Sequence, residues 1–233
     1  MSNPQAVVFD LDDTLYAEVD FVMSGFRSVA DWAAHRWDLS TKVILAELDE
    51  LQARMPGKVF NVWLEQRNFE PELATEMLAV YRAHSPTIEA FPEVRATISE
   101  LKNSFQIGLI SDGFLETQQN KFKALDLEDL FDAVIFSDQF GRDHWKPHPL
   151  PYETLLRKIK VDAKDAIYIG DNPKKDFVGA AGVGMRSIRF RHPKGVYAHL
   201  EPETDIQSPT LEARDWDSLS TAIADLFSAN DST

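Results

Sequence analysis

VVFDLDDTLY (Val7–Tyr16) sets three carboxylates, Asp10, Asp12 and Asp13, within four residues at the end of an apolar run. Adjacent negative charges repel and buried ones are costly, so a chain that only had to fold has little reason to place them there. The apolar residues before them, 6–9, form a short valine-containing run, which reads as a strand buried on both faces, as in a parallel sheet. In an extended segment residues i and i+2 share a face while i+1 points away. Asp10 and Asp12 are therefore expected to address one site, whereas Asp13 fixes the turn or points to solvent.

Outward from this stretch the chain changes grammar twice. Up to about Phe91 it reads as helix. Val22, Phe26, Val29 and Ala33 make one apolar stripe, and Ile44, Leu48 and Leu51 a second, with Ser40 as N-cap. Residues 59–67 are a third segment, and Leu73, Met77 and Tyr81 a fourth, with Pro71 at the first helical position. These stripes are expected to be core packing between helices. After SPTIEAFP, strand and helix alternate: helix 93–103, strand 105–110, helix 115–125, strand 133–136, helix 151–159, strand 166–170, helix 177–182, and RSIRF as the last strand. A final helix spans about 219–227. This alternation predicts a parallel sheet covered by helices on both faces, interrupted directly after its first strand by about seventy helical residues.

Composition bounds the partners. The 233 residues carry a formal net charge of −14 and are 44% hydrophobic, enough for a substantial core. So acidic a chain lacks the electrostatic footprint for nonspecific binding of nucleic acid or an anionic membrane. The absence of cysteine removes disulfides, thiolate metal sites and a cysteine nucleophile. The polar start MSNPQ lacks a signal-peptide pattern, and no apolar run has membrane-spanning length, so the expectation is a cytoplasmic protein, monomeric or homodimeric.

In open α/β sheets ligands sit at the carboxyl ends of the strands. Four polar clusters fall there: DLDDT after the first strand, SDG (Ser111, Asp112, Gly113), the loop DHWKPHPLPY with Lys146, and GDNPKKD with Asp171 and Asp176. Together DLDDTLY, LISDG, KPHP and IGDNPKKD resemble the four motifs of the haloacid-dehalogenase-like superfamily of phosphohydrolases. The helical insert resembles the cap of one of its subgroups.

The resemblance implies a doubly wound, Rossmann-like parallel sheet as core (residues 1–16 and 92–233) with an inserted all-helical cap (17–91). It implies Asp10 as nucleophile, Asp12 as the acid and then base, and Mg²⁺ held by Asp10, the Asp12 backbone carbonyl and Asp171, with Asp176 in support. Lys146, Ser111 and the amides of Asp112 and Gly113 would take the phosphate. The chemistry independently asks for such parts: an in-line nucleophile, cations on the phosphoryl oxygens, and a proton donor for the leaving alcohol. Several carboxylates plus a phosphate dianion outweigh one divalent cation, which gives Lys146 its purpose. The expected activity is Mg²⁺-dependent hydrolysis of a small phosphorylated metabolite, a sugar phosphate or a nucleotide.

Rival readings share much of this machinery. A haloacid dehalogenase would need the nucleophile but not Asp12, and a phosphomutase would differ only in where the phosphoryl group goes. A phospho-acceptor signalling domain would have no use for the insert. SDG carries aspartate where family members often have asparagine. Thr14 is either a support for Asp12 or a capping hydroxyl, and the run RSIRFRHPKG reads as a solvated strand end. His144 and His148 are four apart, but Pro147 and Pro149 prevent the helix that would pair them, so no zinc site is expected.

Overall fold

The computed structural model describes residues 4–228. It divides into two compact units, one of residues 4–18 and 89–228, the other Val19–Ile88.

The first unit is built on six parallel strands: β1 (Ala6–Phe9), β2 (Gln106–Ser111), β3 (Ala133–Phe136), β4 (Ala166–Gly170), β5 (Arg186–Phe190) and β6 (Leu211–Ala213). Their order is β3-β2-β1-β4-β5-β6. This is the doubly wound arrangement, and the order reverses between β1 and β4. Val7 lies opposite Ile107 on one side and Ile167 on the other, and all four residues of β1 are buried, as its unbroken apolar run requires. Ala6 and Val8 face a core shared with α7 (Leu150–Ile159) and α8 (Asp176–Val183). Val7 and Phe9 point the other way by pleat alternation, and the Phe9 ring meets Phe131 edge-on at 6.5 Å. Helices α5 (Val94–Leu101), α6 (Leu115–Ala124) and α9 (Trp216–Ser228) complete the unit.

RSIRF is not the last strand. β6 follows it, with only three residues and two apolar side chains, too few for a periodic signal. It is defined by pairing: Thr210 donates its N–H to Ser187 O at 2.9 Å, and Arg191 donates to Ala213 O at 2.7 Å. The last helix begins at Trp216, earlier than its apolar stripe suggests, because Asp215 Oδ1 accepts the Ser218 N–H at 2.7 Å and caps it.

The second unit contains α1 (Glu18–Trp37, entered from the first unit), α2 (Thr41–Arg54), α3 (Val59–Gln66) and α4 (Leu73–Ala83) around one apolar core. The stripes Phe26–Val29–Ala33 and Ile44–Leu48–Leu51 face inward, as amphipathic periodicity dictates. Trp37 stacks on Phe69 at 4.2 Å, and Glu47 ties α2 to α3 by accepting from Trp63 Nε1 at 2.8 Å and from Arg67 at 2.6 Å. Ser40 occupies the N-cap of α2 but caps through its carbonyl, which accepts from Val43 and Ile44, not through its hydroxyl. Pro71 precedes α4 in a turn, since the helix starts only at Leu73.

Candidate active site

The strand ends at the switch point bring the first cluster together. Asp10 leaves β1 with its N–H donated to Ile169 O at 2.8 Å, so it stays locked against β4. Asp171 leaves β4 next to it, and Asp176 opens α8. Carboxylate oxygens of Asp10, Asp171 and Asp176 lie within 4.8 Å of one another, and all three residues are buried. Gly170 makes this possible, since a Cβ there would sit 2.6 Å from Asp176 Oδ2. That same oxygen accepts the Asn172 N–H at 2.9 Å, which fixes the carboxylate against the loop.

Lys146 enters the cluster from the loop before α7, with a side chain that is 0% exposed. Its Nζ lies 2.7 Å from Asp10 Oδ1, 2.8 Å from Asp176 Oδ1 and 2.9 Å from the Tyr168 hydroxyl. An ammonium has three protons, and all three are engaged. Burial alone would discharge this lysine, but the charges of Asp10 and Asp176 outweigh it and hold the pKa well above the ordinary range. Asp176 is held below the usual carboxylate range, because Lys146 and Lys175 overcome its burial.

Asp10 behaves otherwise: burial raises its pKa to about 6, against the pull of Lys146 and with the push of Asp176. Asp171 is driven well above its ordinary value by burial and by the charges of Asp176 and Asp10. Three crowded carboxylates, of which only Asp10 and Asp176 pair with Lys146, form an all-oxygen donor set short of positive charge, which suits a hard divalent cation. The Asp12 carboxylate is not part of this set among the described residues.

Asp12 has partners of its own. Lys121 Nζ, on α6, lies 2.8 Å from Asp12 Oδ1, to which the Tyr16 hydroxyl also donates, and Gln118 Nε2 donates to Oδ2 at 2.9 Å. Burial would raise the Asp12 pKa, but the charge and hydrogen bond of Lys121 bring it below the usual value. Gln118 also reaches Ser111 Oγ at 2.7 Å and Asp112 O at 2.6 Å. It thereby connects the turn after β1 to the turn after β2. Gly113, at φ 133°, gives Gln118 room, because a Cβ there would come within 2.9 Å of its amide carbon. The Asp112 carboxylate turns inward. Its Oδ1 accepts from the Ser137 hydroxyl and from Lys146 N–H at 3.1 Å, and Oδ2 lies 3.8 Å from Lys175 Nζ.

The structure thus brings Asp10, Lys146, Asp171 and Asp176 into one cluster and gives Asp12 a separate cation. Lys121, Gln118 and Tyr168 escape the sequence reading. The first two lie on a helix beyond the SDG turn, and both are buried there despite polar side chains, which no signal in the sequence announces. Asp13 fixes the turn, at φ 53°, but is buried instead of solvated. It accepts from Glu18 N at 2.9 Å and from Val196 N at 2.6 Å.

Thr14 Oγ1 has no hydrogen-bond partner among the described residues, so it does not support Asp12. The run from Arg186 is solvated only at its far end, where Pro193 and Lys194 are exposed. Arg189 is buried and donates to the carbonyls of Asp171 at 3.3 Å, Tyr197 at 2.8 Å and Leu200 at 2.7 Å. His144 and His148 do meet, edge to face at 4.7 Å, through a loop instead of a helix.

Over residues 7–190 the chain matches the family model described as haloacid dehalogenase-like hydrolase. It is 28% identical over 219 residues to a glyceraldehyde 3-phosphate phosphatase of Methanopyrus kandleri, an alignment covering 89% of this chain and 92% of that protein. Among solved structures, a 2-haloacid dehalogenase from Pseudomonas syringae pv. tomato has a TM-score of 0.65 at 25% identity, covering 95% of this chain and 99% of that one. A HAD hydrolase from Bacillus subtilis, described as bound to magnesium, reaches a TM-score of 0.68 at 16% identity, with 95% and 99% covered, a likeness of fold.

Proposed function

Since the chain belongs to the haloacid dehalogenase-like hydrolase family, we propose that it is a Mg²⁺-dependent phosphatase of a small phosphomonoester, a sugar phosphate or a nucleotide. The observation that carries this reading is Lys146 Nζ held 2.7 Å from Asp10 inside the carboxylate cluster at the switch point. Asp10 is the nucleophile. Its carboxylate attacks phosphorus, the bond from phosphorus to the leaving oxygen breaks, and an aspartyl phosphate forms. Asp12 is ionised beside Lys121 in the free protein, so it takes up a proton together with the substrate, passes it to the leaving oxygen, and then takes one from the water that releases phosphate. Ser111 and the amides of Asp112 and Gly113 hold phosphoryl oxygens, and Lys146 fixes Asp10 in its charged form.

Asp10, Asp171 and Asp176, with the Asp12 backbone carbonyl, would hold Mg²⁺, which supplies positive charge against the phosphoryl oxygens when bound. The helical insert of residues 17–91 is the cap domain of this fold, and residues 1–16 and 92–233 are its core.

The solved dehalogenase at 25% identity raises the rival reading. Asp12 argues for the phosphatase, because a halide leaves without a proton and has no use for a second carboxylate held by Lys121. The deciding experiment is a screen of phosphorylated metabolites with and without Mg²⁺, beginning with triose phosphates in view of the relative's activity. Wild-type protein and Asp10→Asn are compared, with chloride release from 2-chloro acids as control. Phosphate release that needs both Mg²⁺ and Asp10 is expected. Release insensitive to both, or halide release alone, overturns the reading.

A further inference from the structure

The loop between β4 and α8 carries two consecutive lysines that turn opposite ways. Lys174 reaches outward to Glu203, at 3.6 Å, and its side chain is 57% exposed. Lys175 turns in toward the SDG segment, with Nζ 3.8 Å from Asp112 Oδ2.

Asp112 is an awkward residue to find in a turn that receives a dianion. Its carboxylate cannot swing away, because Ser137 and the Lys146 N–H hold Oδ1. With Asp10, Asp171 and Asp176 it brings the carboxylates around the cluster to four. Lys146 Nζ has no proton left to give the fourth, since its three are committed to Asp10, Asp176 and Tyr168. At 3.8 Å Lys175 is close enough to cancel the Asp112 charge, yet beyond hydrogen-bond distance, so its protons are not spent on that carboxylate.

We propose that Lys175 is a second phosphate-side cation of this site, and that Asp112 and Lys175 act as one electrostatic unit: Asp112 draws the lysine in, and the lysine makes the SDG turn able to accept an anion. The proposal rests on the reading that this turn binds the phosphoryl group. It goes beyond that reading in assigning a role to a lysine of the GDNPKKD cluster that had none. A direct consequence is non-additivity. Removing Lys175 leaves Asp112 uncompensated and opposes phosphate, whereas a neutral amide at position 112 takes away much of the need for the lysine.

The test is a double-mutant cycle read by titration calorimetry with inorganic phosphate, in the presence of Mg²⁺ and of a folding check by circular dichroism. Lys175→Met is expected to weaken phosphate binding by about tenfold or more, and Lys175→Arg to restore most of it. Asp112→Asn is expected to tighten it. In the Asp112→Asn background the Lys175→Met penalty should shrink to about threefold or less, beyond the scatter of independent sites. Unchanged binding in Lys175→Met, or equal penalties in both backgrounds, overturns the proposal while leaving the phosphatase reading intact. A wild-type protein that binds no phosphate overturns both.

Discussion

Lys121 Nζ and Asp12 Oδ1 lie 2.8 Å apart, a pair formed across 109 residues of sequence and nearly enclosed, with the lysine side chain 5% exposed. The pair sits beside the Asp10–Lys146 cluster but shares no residue with it. Asp10 and Asp12 are therefore paired with different lysines, Lys146 and Lys121.

From this pair follows a pH-dependent stability. The folded Asp12 pKa is depressed, so its contribution is present above the unfolded value, about 3.9, and is lost as pH falls through the folded value. Lys121→Met should cost about 2–3 kcal/mol at pH 7, and the gap to wild type should narrow below about pH 4. Urea denaturation at several pH values checks this. A gap that widened on acidification would show that the pair does not hold Asp12 charged.

Lys146→Ala should keep the fold and lose about a hundredfold or more in kcat, since the ammonium that charges Asp10 is gone. Steady-state kinetics with the best substrate of the screen, beside a melting curve, measures both. Near wild-type turnover would remove Lys146 from the machinery.

Asp10 gives a prediction of the opposite sign. Its pKa is raised to about 6, so in the metal-free protein its contribution to stability is full below the unfolded value and disappears as pH rises through about 6. Mg²⁺ competes with that proton. The increase in melting temperature on adding Mg²⁺ should therefore be largest above pH 6 and shrink below it, as read by differential scanning fluorimetry. An increase independent of pH would mean that the ion is not held by Asp10.

Gly170→Ala tests the packing behind the cluster. The new methyl must displace the Asp176 carboxylate, 2.6 Å away, which is also a Lys146 partner. Mg²⁺ affinity should fall by about tenfold or more with secondary structure retained, measured by titration calorimetry and circular dichroism. Unchanged affinity would exclude Asp176 from metal support.

Asp10, Lys146, Asp171 and Asp176 were legible in the sequence because each follows a strand, or the loop of one, and the strand-end rule says where such residues converge. Lys121 and Gln118 were not, because glutamine and lysine on a weakly amphipathic helix read as solvent-facing, and only tertiary packing buries them. Lys175 was hidden by its twin, since nothing in KK tells which lysine turns in. β6 was illegible for a related reason: three residues set by pairing with β5 carry no period of their own. Alternation of strand and helix predicted a parallel sheet, but the order β3-β2-β1-β4-β5-β6 was not read from it, because order is set by which strands pair. Asp13 was half legible, as a turn residue whose second partner, Val196, lies 183 residues away.

That second partner ties an irregular loop to the two strands whose ends bear Asp10 and Asp171. Asp13 accepts the Val196 amide, and Arg189 spans from the Asp171 carbonyl to those of Tyr197 and Leu200. Segment 196–200 has almost no regular structure, yet it cannot loosen without disturbing the turn after β1 or the one after β4. Its amide protons should then exchange with solvent on the timescale of the sheet instead of that of a surface loop, with Val196 as a remote witness to whether the carboxylate cluster is assembled.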